Sequence, residues 1–361
     1  MTTMIRPQPG IMDIALYKGG ASQIEGQSDP LKLSSNENPF GASPKAMDAV
    51  VAAAQSMHRY PSTDHTPLRT AIAEVHDLDV DRIICGVGSD ELLTLLAMAF
   101  AGPGDEVLYT EHGFSLYRVF ALAAGATPVV APEKDRCVDV DAVIAKITPA
   151  SRLVYIANPA NPSGTMLGTN ELTRLAEAVP AQCLLVIDGA YAEFADDYDG
   201  GAALMDTHAN VVMTRTFSKL YGLGGLRVGW AYARQDIIDV LNRVRGPFNL
   251  SQVALAGAEA AMRDRFFVAE CLRQNAEQRQ RLMGGLNQLG IHCDNSYANF
   301  VLARFKDEEE ACAADAHLKQ AGILVRLVKG YGFPEALRIT VGSAEDVTRV
   351  LNALAHFREV T

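Results

Sequence analysis

The sequence predicts an α/β protein whose larger domain has a mostly parallel central sheet flanked by helices. Short runs rich in Val, Ile, Leu and Tyr recur along the first two thirds of the 361 residues, and stretches of helical length separate them. This alternation is typical of βαβ units, which place parallel strands side by side. The runs are RIICGV, EVLYT, TPVVAP, RLVYIANP, CLLVIDGAY and NVVMTRTFS.

The pattern changes at about residue 245, and three parts are predicted. Residues 1–45 are rich in Pro, Gly, Ser and Asn, so we expect an arm of turns that packs on the small domain or on a partner subunit. Residues 46–245 form the large domain. Residues 246–361 form a smaller α+β domain, in which one long helix over 251–289 precedes the strands NFVLARF, ILVRLV and ALRITVG.

Composition excludes several classes of function. The formal net charge is −11 and Lys and Arg form no run, which argues against a nucleic-acid partner. The six cysteines are scattered, with no C-x-x-C pair and no histidines at metal-ligand spacing, so we expect reduced thiols and no metal. The N-terminus lacks a signal-peptide core, and no window has 18 apolar residues. We therefore expect a cytoplasmic protein without membrane spans.

A glycine turn follows the first predicted strand, in RIICGVGSDELL. Gly88, Ser89 and Asp90 stand where the next helix begins. The free N–H groups and positive dipole end of a helix N-terminus suit a phosphate. An ordinary turn and helix cap explain the same residues equally well. Neither a P-loop nor a dinucleotide-binding motif is complete here.

Polar side chains also follow two of the later strands. Asp188 ends an apolar run, and Tyr191 stands three residues after it. A buried carboxylate is costly unless a cation or donor meets it, although an Asp that begins a turn is the commoner case. Asn161 begins the second of the two Asn-Pro pairs in NPANPSG. A rigid turn could direct its amide towards a ligand, and a purely structural turn explains the prolines equally well.

Lys219 and Arg227 lie eight residues apart in TRTFSKLYGLGGLRVGW. Either this is an exposed loop with surface charges, or it is an anion-binding wall with a reactive amine. Pyridoxal phosphate requires an imine-forming lysine, an acid at the ring nitrogen, a donor at the phenolic oxygen and a phosphate cup. Together with Asp188, Tyr191 and the glycine turn, the stretch supplies every one of these parts.

A set of segments, taken in order, carries a family resemblance. They are PGIMDIALYKGG, LSSNENPFGASP, RYPSTDHTPLRTAIA, GVGSDELL, NPANPSGT, VIDGAYAEF, TRTFSKLYGLGGLRVGW and LRITVG. The chain resembles the fold-type I pyridoxal-phosphate aminotransferases of the aspartate aminotransferase superfamily, and within it the histidinol-phosphate aminotransferases. The resemblance covers almost the whole chain and implies a homodimer with shared active sites.

The resemblance implies a role for each matching cofactor residue. Lys219 would form the Schiff base and then act as the base that moves the substrate proton. Asp188 would pair with the ring nitrogen, while Tyr191 and Asn161 would hold the phenolic oxygen. The residues that would hold the cofactor phosphate are Gly88, Ser89, Asp90, Thr216, Ser218 and Arg227.

Further roles are implied at the rim and at the substrate end. Phe114 would stack on the cofactor ring, and Tyr60 would reach the phosphate of the neighbouring subunit. Four residues would contact substrate: Arg338, Arg326, Tyr17 and Asn36. Arg338 would bind a carboxylate or phosphate with two parallel hydrogen bonds. For Arg326 and Tyr17, a surface charge and a packed aromatic remain alternatives.

The implied reaction is ping-pong transamination between L-glutamate and imidazole-acetol phosphate, which yields 2-oxoglutarate and L-histidinol phosphate. A related aminotransferase of aromatic amino acids is one alternative. A lyase similar to threonine-phosphate decarboxylase is another. A cofactor-sensing regulatory module is disfavoured, since the chain has no basic patch for DNA.

Overall fold

The computed structural model describes residues 6–16, 19–26 and 28–360. Numbered along the chain, the strands are β1 (Leu31–Lys32), β2 (Ile83–Gly86), β3 (Glu106–Thr110), β4 (Thr127–Ala131), β5 (Glu133–Lys134), β6 (Cys137–Val138), β7 (Ser151–Ala157), β8 (Leu184–Asp188), β9 (Val211–Thr216), β10 (Gly229–Ala233), β11 (Phe300–Arg304), β12 (Ile323–Leu324), β13 (Arg326–Val328) and β14 (Phe333–Thr340).

The α-helices alternate with these strands through the first two thirds of the chain. They are α1 (Pro44–Ala54), α2 (Thr66–His76), α3 (Gly88–Phe100), α4 (Leu116–Ala123), α5 (Val140–Lys146), α6 (Thr169–Ala178), α7 (Gln235–Val244), α8 (Gln252–Arg263), α9 (Arg265–Gln288), α10 (Glu308–Gln320) and α11 (Ala344–Val360). Among the residues described, no helix has the length and apolar character needed to cross a membrane.

The central sheet has seven strands in the order β2-β10-β9-β8-β7-β3-β4. Strands β9, β8, β7, β3 and β4 are paired in parallel, and β10 is antiparallel to both of its neighbours. The prediction of a mostly parallel sheet is confirmed. Strand β10 was not among the predicted strands.

Both faces of this sheet are buried. Along β8, Leu185 and Ile187 pack into one apolar cluster while Leu184 and Val186 pack into another. Successive side chains of a strand point to opposite faces, so each face carries its own layer of helices and its own core. This two-sided burial is why the strand reads as a continuous apolar run.

The parallel strands end at one edge of the sheet, which is where the polar residues collect. Asp188 ends β8 and Thr216 ends β9. Because β10 runs the other way, it begins at this same edge, and Arg227 lies just before it. Gly229, the first residue of β10, pairs with Thr216 on one side and Gly86 on the other.

A second sheet lies in the C-terminal third, with the antiparallel order β11-β14-β13. Its core also includes side chains of α9, α10 and α11. The N-terminal arm joins this core, since β1 pairs in parallel with β12 and Leu33 is buried. A strand of two residues is too short to show an alternating pattern in the sequence. The sequence of the arm therefore predicts turns alone.

The single long helix predicted over 251–289 is wrong at one point, because α8 and α9 are separate. Asp264 lies between them with non-helical backbone angles (φ −83°, ψ 68°). Its buried carboxylate is 3.3 Å from Nζ of Lys45, which neighbours Pro44 at the start of α1. Neither Gly nor Pro marks the break, so only this tertiary contact reveals it.

Gly229 allows a close backbone approach at the polar edge. A Cβ at this position would lie 2.2 Å from the backbone N of Ser89 and 2.4 Å from the carbonyl C of Gly88. Backbone atoms of a paired strand and a helix start cannot yield to such a contact. Gly88 itself has φ +75°, a conformation that favours glycine.

We expect Gly229→Ala to lower the free energy of unfolding by about 2 kcal/mol or more, because overpacking against fixed atoms forces backbone shifts. Gly225→Ala is the matched control, since a Cβ there meets no atom within 4 Å. Thermal and denaturant unfolding of both variants measures the difference. Equal stability of the two variants would contradict the close approach.

Candidate active site

A cavity of about 340 Å³ opens at the carboxyl edge of the central sheet, between that sheet, the arm and the C-terminal sheet. Most of the residues predicted to form a site line it. They are Asn36, Ser89, Asp90, Phe114, Asn161, Asp188, Tyr191, Thr216, Ser218, Lys219, Arg227, Arg326 and Arg338. The fold therefore brings together residues that lie up to 300 positions apart in the sequence.

Three predicted residues are not among the lining residues. Gly88 lies beside the cavity, where a Cβ would come within 2.6 Å of Nη2 of Arg227. Tyr60 is 81 % exposed and stacks on Phe248 with ring centroids 4.5 Å apart, so it does not reach the cavity of its own chain. Tyr17 lies outside the described residues.

Lys219 presents its amine to the cavity from the loop after β9. Its Nζ donates to the carbonyl O of Ser35 at 3.4 Å and lies 5.7 Å from the ring centre of Tyr191. Burial lowers the pKa of Lys219 to about 8, and the nearby guanidinium of Arg338 acts in the same direction. A lysine with such a pKa supplies a useful fraction of neutral, nucleophilic amine near pH 7.

Asp188 is a buried carboxylate held by three donors. Tyr117 donates its hydroxyl proton to Oδ2 at 2.8 Å, while the backbone N of Ala190 and Oγ1 of Thr214 donate to Oδ1 at 3.2 and 3.3 Å. Burial raises the pKa of Asp188 to about 6, and the hydrogen bond from Tyr117 acts in the opposite direction. The three donors fix the orientation of the carboxylate and act against the effect of burial on its pKa.

Tyr191 is held from two sides. Its ring packs edge-on against Phe300, with centroids 5.0 Å apart. Its hydroxyl oxygen accepts a hydrogen bond from Nδ2 of Asn36 at 2.9 Å. Because the oxygen accepts from Asn36, the phenolic proton remains available to a ligand oxygen in the cavity.

One end of the cavity is built to hold an anion. Ser89 lies in the first turn of α3, where the helix dipole is positive. Arg227 donates from Nη1 to Oγ of Ser218 at 3.2 Å and approaches Oδ2 of Asp90 at 3.4 Å with Nη2. The backbone N of Ser218 in turn donates to Oγ1 of Thr216 at 3.1 Å. Hydroxyls, a guanidinium and a helix N-terminus converge here.

The opposite end is dominated by arginines. Arg338 is buried on β14 and donates from Nη1 to Oδ1 of Asn161 at 2.6 Å and from Nη2 to the carbonyl O of Ser34 at 3.1 Å. Arg326 lines the same end of the cavity from β13, directly opposite Arg338 in the sheet register. Since Oδ1 of Asn161 accepts from Arg338, its Nδ2 is the group oriented to donate to a ligand.

The charge of the cavity contrasts with that of the protein. Among the described lining residues four are cationic and two are carboxylates, although the whole chain carries −11. Such a local excess of positive charge favours ligands with more than one anionic group. No cluster of His, Cys, Asp or Glu suited to a metal ion occurs within the described ranges.

Sequence reasoning missed several residues of the cavity. Tyr331, Ser35, Gly19 and Gly20 also line it. Tyr117, whose hydroxyl donates to Asp188, was not predicted as a site residue. Nothing in its spacing points to a partner 71 residues away, and only its burial among aromatic residues shows that its hydroxyl needs one.

A family model described as aminotransferase class I and II matches residues 28–354. The chain belongs to this family. The histidinol-phosphate aminotransferase of Roseobacter denitrificans is 76% identical to it over 357 residues, which cover 99% of each protein. The resemblance to histidinol-phosphate aminotransferases inferred from sequence motifs is therefore confirmed.

Solved structures agree with this grouping. The crystal structure of histidinol-phosphate aminotransferase from Sinorhizobium meliloti in complex with pyridoxal-5'-phosphate has a TM-score of 0.90 to this chain at 25% identity, with 99% of each chain covered. An aspartate aminotransferase of Thermus thermophilus shares the fold at a TM-score of 0.80 and 22% identity, covering 92% of each chain. The predicted fold-type I architecture is confirmed.

The lowered pKa of Lys219 predicts how its reactivity depends on pH. The neutral amine becomes the main form as the pH rises through about 8. An aldehyde reagent such as pyridoxal phosphate should therefore react with the protein at a rate that rises with pH and levels off above that value. Stopped-flow absorbance measures the rate, and borohydride trapping with mass spectrometry identifies the lysine. An apparent pKa of about 10.4, as in free lysine, would contradict the prediction.

Proposed function

We propose that the protein is a histidinol-phosphate aminotransferase of histidine biosynthesis, which exchanges an amino group between L-glutamate and imidazole-acetol phosphate. The observation that carries the proposal is the 76% identity, over essentially the full length, to an enzyme of that name. The cavity agrees with it, since it combines one buried reactive amine with anion-binding groups at both ends.

We propose pyridoxal 5'-phosphate as the cofactor, because the lining residues suit its functional groups. The buried Lys219 amine with a lowered pKa suits its aldehyde, and the buried Asp188 carboxylate suits its ring nitrogen. The turn at Gly88 has no room for a side chain next to Arg227, as expected of a phosphate cradle. The cofactor supplies an aldehyde that condenses with amines and a ring that accepts the electrons of the Cα–H bond.

The proton transfers and the contacts to the cofactor are assigned to side chains of the protein. Lys219 would take the proton from Cα of the amino donor and deliver it to the carbon of the cofactor aldehyde, which requires a base with a pKa near neutrality. Asp188 would stay ionised and keep a proton on the ring nitrogen. Tyr191 and Asn161 would donate hydrogen bonds to the phenolic oxygen, and Phe114 would pack on the ring.

The arginine end of the cavity suits the anionic groups of both substrates. Arg338 offers two terminal nitrogens to the carboxylate of glutamate or to the phosphate of the second substrate, with Arg326 beside it. A guanidinium accepts either group without a change of geometry, whereas a lysine offers only a point charge. Asn36, bonded to Tyr191, places the arm next to the same ligand.

We expect Lys219→Ala to lower turnover by at least about 100-fold, because the nucleophile and the base are removed together. Lys134→Ala is the matched control, since Lys134 is an exposed lysine on β5. Each variant is loaded with cofactor and given L-glutamate, and the cofactor absorbance is followed. Near-normal turnover of Lys219→Ala would overturn the proposal.

The amino acceptor is decided by the second half of the same experiment. After glutamate has converted the cofactor to its amino form, imidazole-acetol phosphate or phenylpyruvate is added. We expect rapid return of the original absorbance with imidazole-acetol phosphate. Rapid return with phenylpyruvate alone would assign the protein to aromatic amino acids, and release of carbon dioxide would assign it to the lyases.

We further propose that the protein is a homodimer in which each active site includes residues of both subunits. We also propose that it is located in the cytoplasm. Tyr60 and Phe248 form an exposed aromatic pair outside the cavity, and Met47 and Val51 are exposed one turn apart on α1. In a dimer, the partner subunit would cover these apolar side chains, and Tyr60 would lie at the phosphate-binding end of the cavity in the partner subunit. The six cysteines are all free, as suits a reducing compartment.

Val51→Glu tests the dimer, because an unpaired carboxylate is costly in an apolar interface. Light scattering should give twice the mass of one chain for the wild type and the mass of one chain for the variant, with loss of activity. Val360→Glu is the control, since Val360 is an exposed apolar residue at the end of α11. A fully active wild-type monomer would refute the shared sites.

A further inference from the structure

Tyr117 lies behind Asp188 and is not among the residues that line the cavity. It is fully buried on α4, and its hydroxyl donates to Oδ2 of Asp188 at 2.8 Å. A phenol has a single proton, so this donation is its whole donor capacity. The other oxygen of Asp188 accepts from Ala190 and Thr214 at the longer distances of 3.2 and 3.3 Å. Tyr117 thus makes the shortest of the three contacts.

The ring of Tyr117 is fixed by its neighbours. It stacks on Tyr155 with centroids 4.9 Å apart and planes 5° apart, and Phe114 meets it edge-on at 5.7 Å. Tyr155 is anchored in turn, because its hydroxyl donates to the carbonyl O of Leu93 at 2.7 Å. The stack leaves Tyr117 little freedom, so the position of its hydroxyl determines where the carboxylate of Asp188 points.

We propose that Tyr117 is a positioning residue that holds the carboxylate of Asp188 in its ionised form, so that the shared proton stays on the ring nitrogen of the cofactor. This inference rests on the proposed function, since it requires pyridoxal phosphate in the cavity. A donor to a carboxylate stabilises its charged form. A neutral Asp188 would leave the ring nitrogen without its proton and the ring less able to accept electrons.

The surroundings of Asp188 make such a donor necessary. Burial disfavours the charged carboxylate, and the negative charge of Asp90 at the start of α3 disfavours it further. The phenols of Tyr155 on β7 and Tyr191 also interact with Asp188, and their raised pKa values keep them neutral. Among the contacts that lower the pKa of Asp188, the hydrogen bond from Tyr117 has the largest effect.

Tyr117→Phe tests the proposal, and Tyr155→Phe is a matched control within the same stack. Both substitutions remove one buried hydroxyl, so both should lower the midpoint of thermal unfolding by similar amounts. Each protein is loaded with pyridoxal phosphate labelled with ¹⁵N in its ring, and the ¹⁵N chemical shift is recorded against pH. We expect wild type and Tyr155→Phe to show a protonated nitrogen at neutral pH, and Tyr117→Phe to shift towards the unprotonated form.

The half-reaction with L-glutamate gives an independent measure. We expect its rate to fall about tenfold or more in Tyr117→Phe, as is typical of losing a hydrogen bond to a charged group, and to stay within about twofold of wild type in Tyr155→Phe. An unchanged nitrogen shift and rate in Tyr117→Phe would overturn the inference. A wild-type protein that takes up no pyridoxal phosphate would instead overturn the proposed function.

Discussion

The pairing of Gly229 with Thr216 and with Gly86 is the constraint on which the rest of the site depends. It brings the start of an antiparallel strand to the edge where parallel strands end, and so holds the connection that carries both Lys219 and Arg227 at this edge. Gly229 also packs against the backbone of Gly88 and Ser89 without a side chain. One glycine therefore allows the helix start to lie beside the strand that follows Arg227.

Burial acts on the two central titratable groups in opposite directions. It lowers the pKa of the Lys219 amine to about 8 and raises that of the Asp188 carboxyl to about 6, because in each case the neutral form is favoured away from water. The cavity thus favours the neutral amine of Lys219, whereas Asp188 depends on its three hydrogen-bond donors to remain ionised.

The sequence predicts the parts of the structure that leave a local signal. Strands β7 to β9 are buried on both faces and read as apolar runs, and the residues at their ends belong to quoted motifs. Strand β10 was missed because its five residues follow a glycine-rich stretch and show no alternation of apolar and polar residues. The helix break at Asp264 was missed because its visible partner, Lys45, is far away in the sequence. Tyr117 was missed for the same reason, since its partner is fixed by the packing of α4 on the sheet. Sequence reasoning could not predict which distant segments of the chain are in contact.

Arg338 joins three separate parts of the chain through one side chain. It belongs to β14, and its two terminal nitrogens are bonded to Asn161 after β7 and to Ser34 in the arm. A guanidinium has five N–H donors, so binding of the substrate anion to Arg338 as proposed does not require these internal hydrogen bonds to break. The two hydrogen bonds fix the orientation of a long side chain before a ligand arrives. Asn161 and Ser34 would therefore reduce the conformational entropy that is lost when the substrate binds.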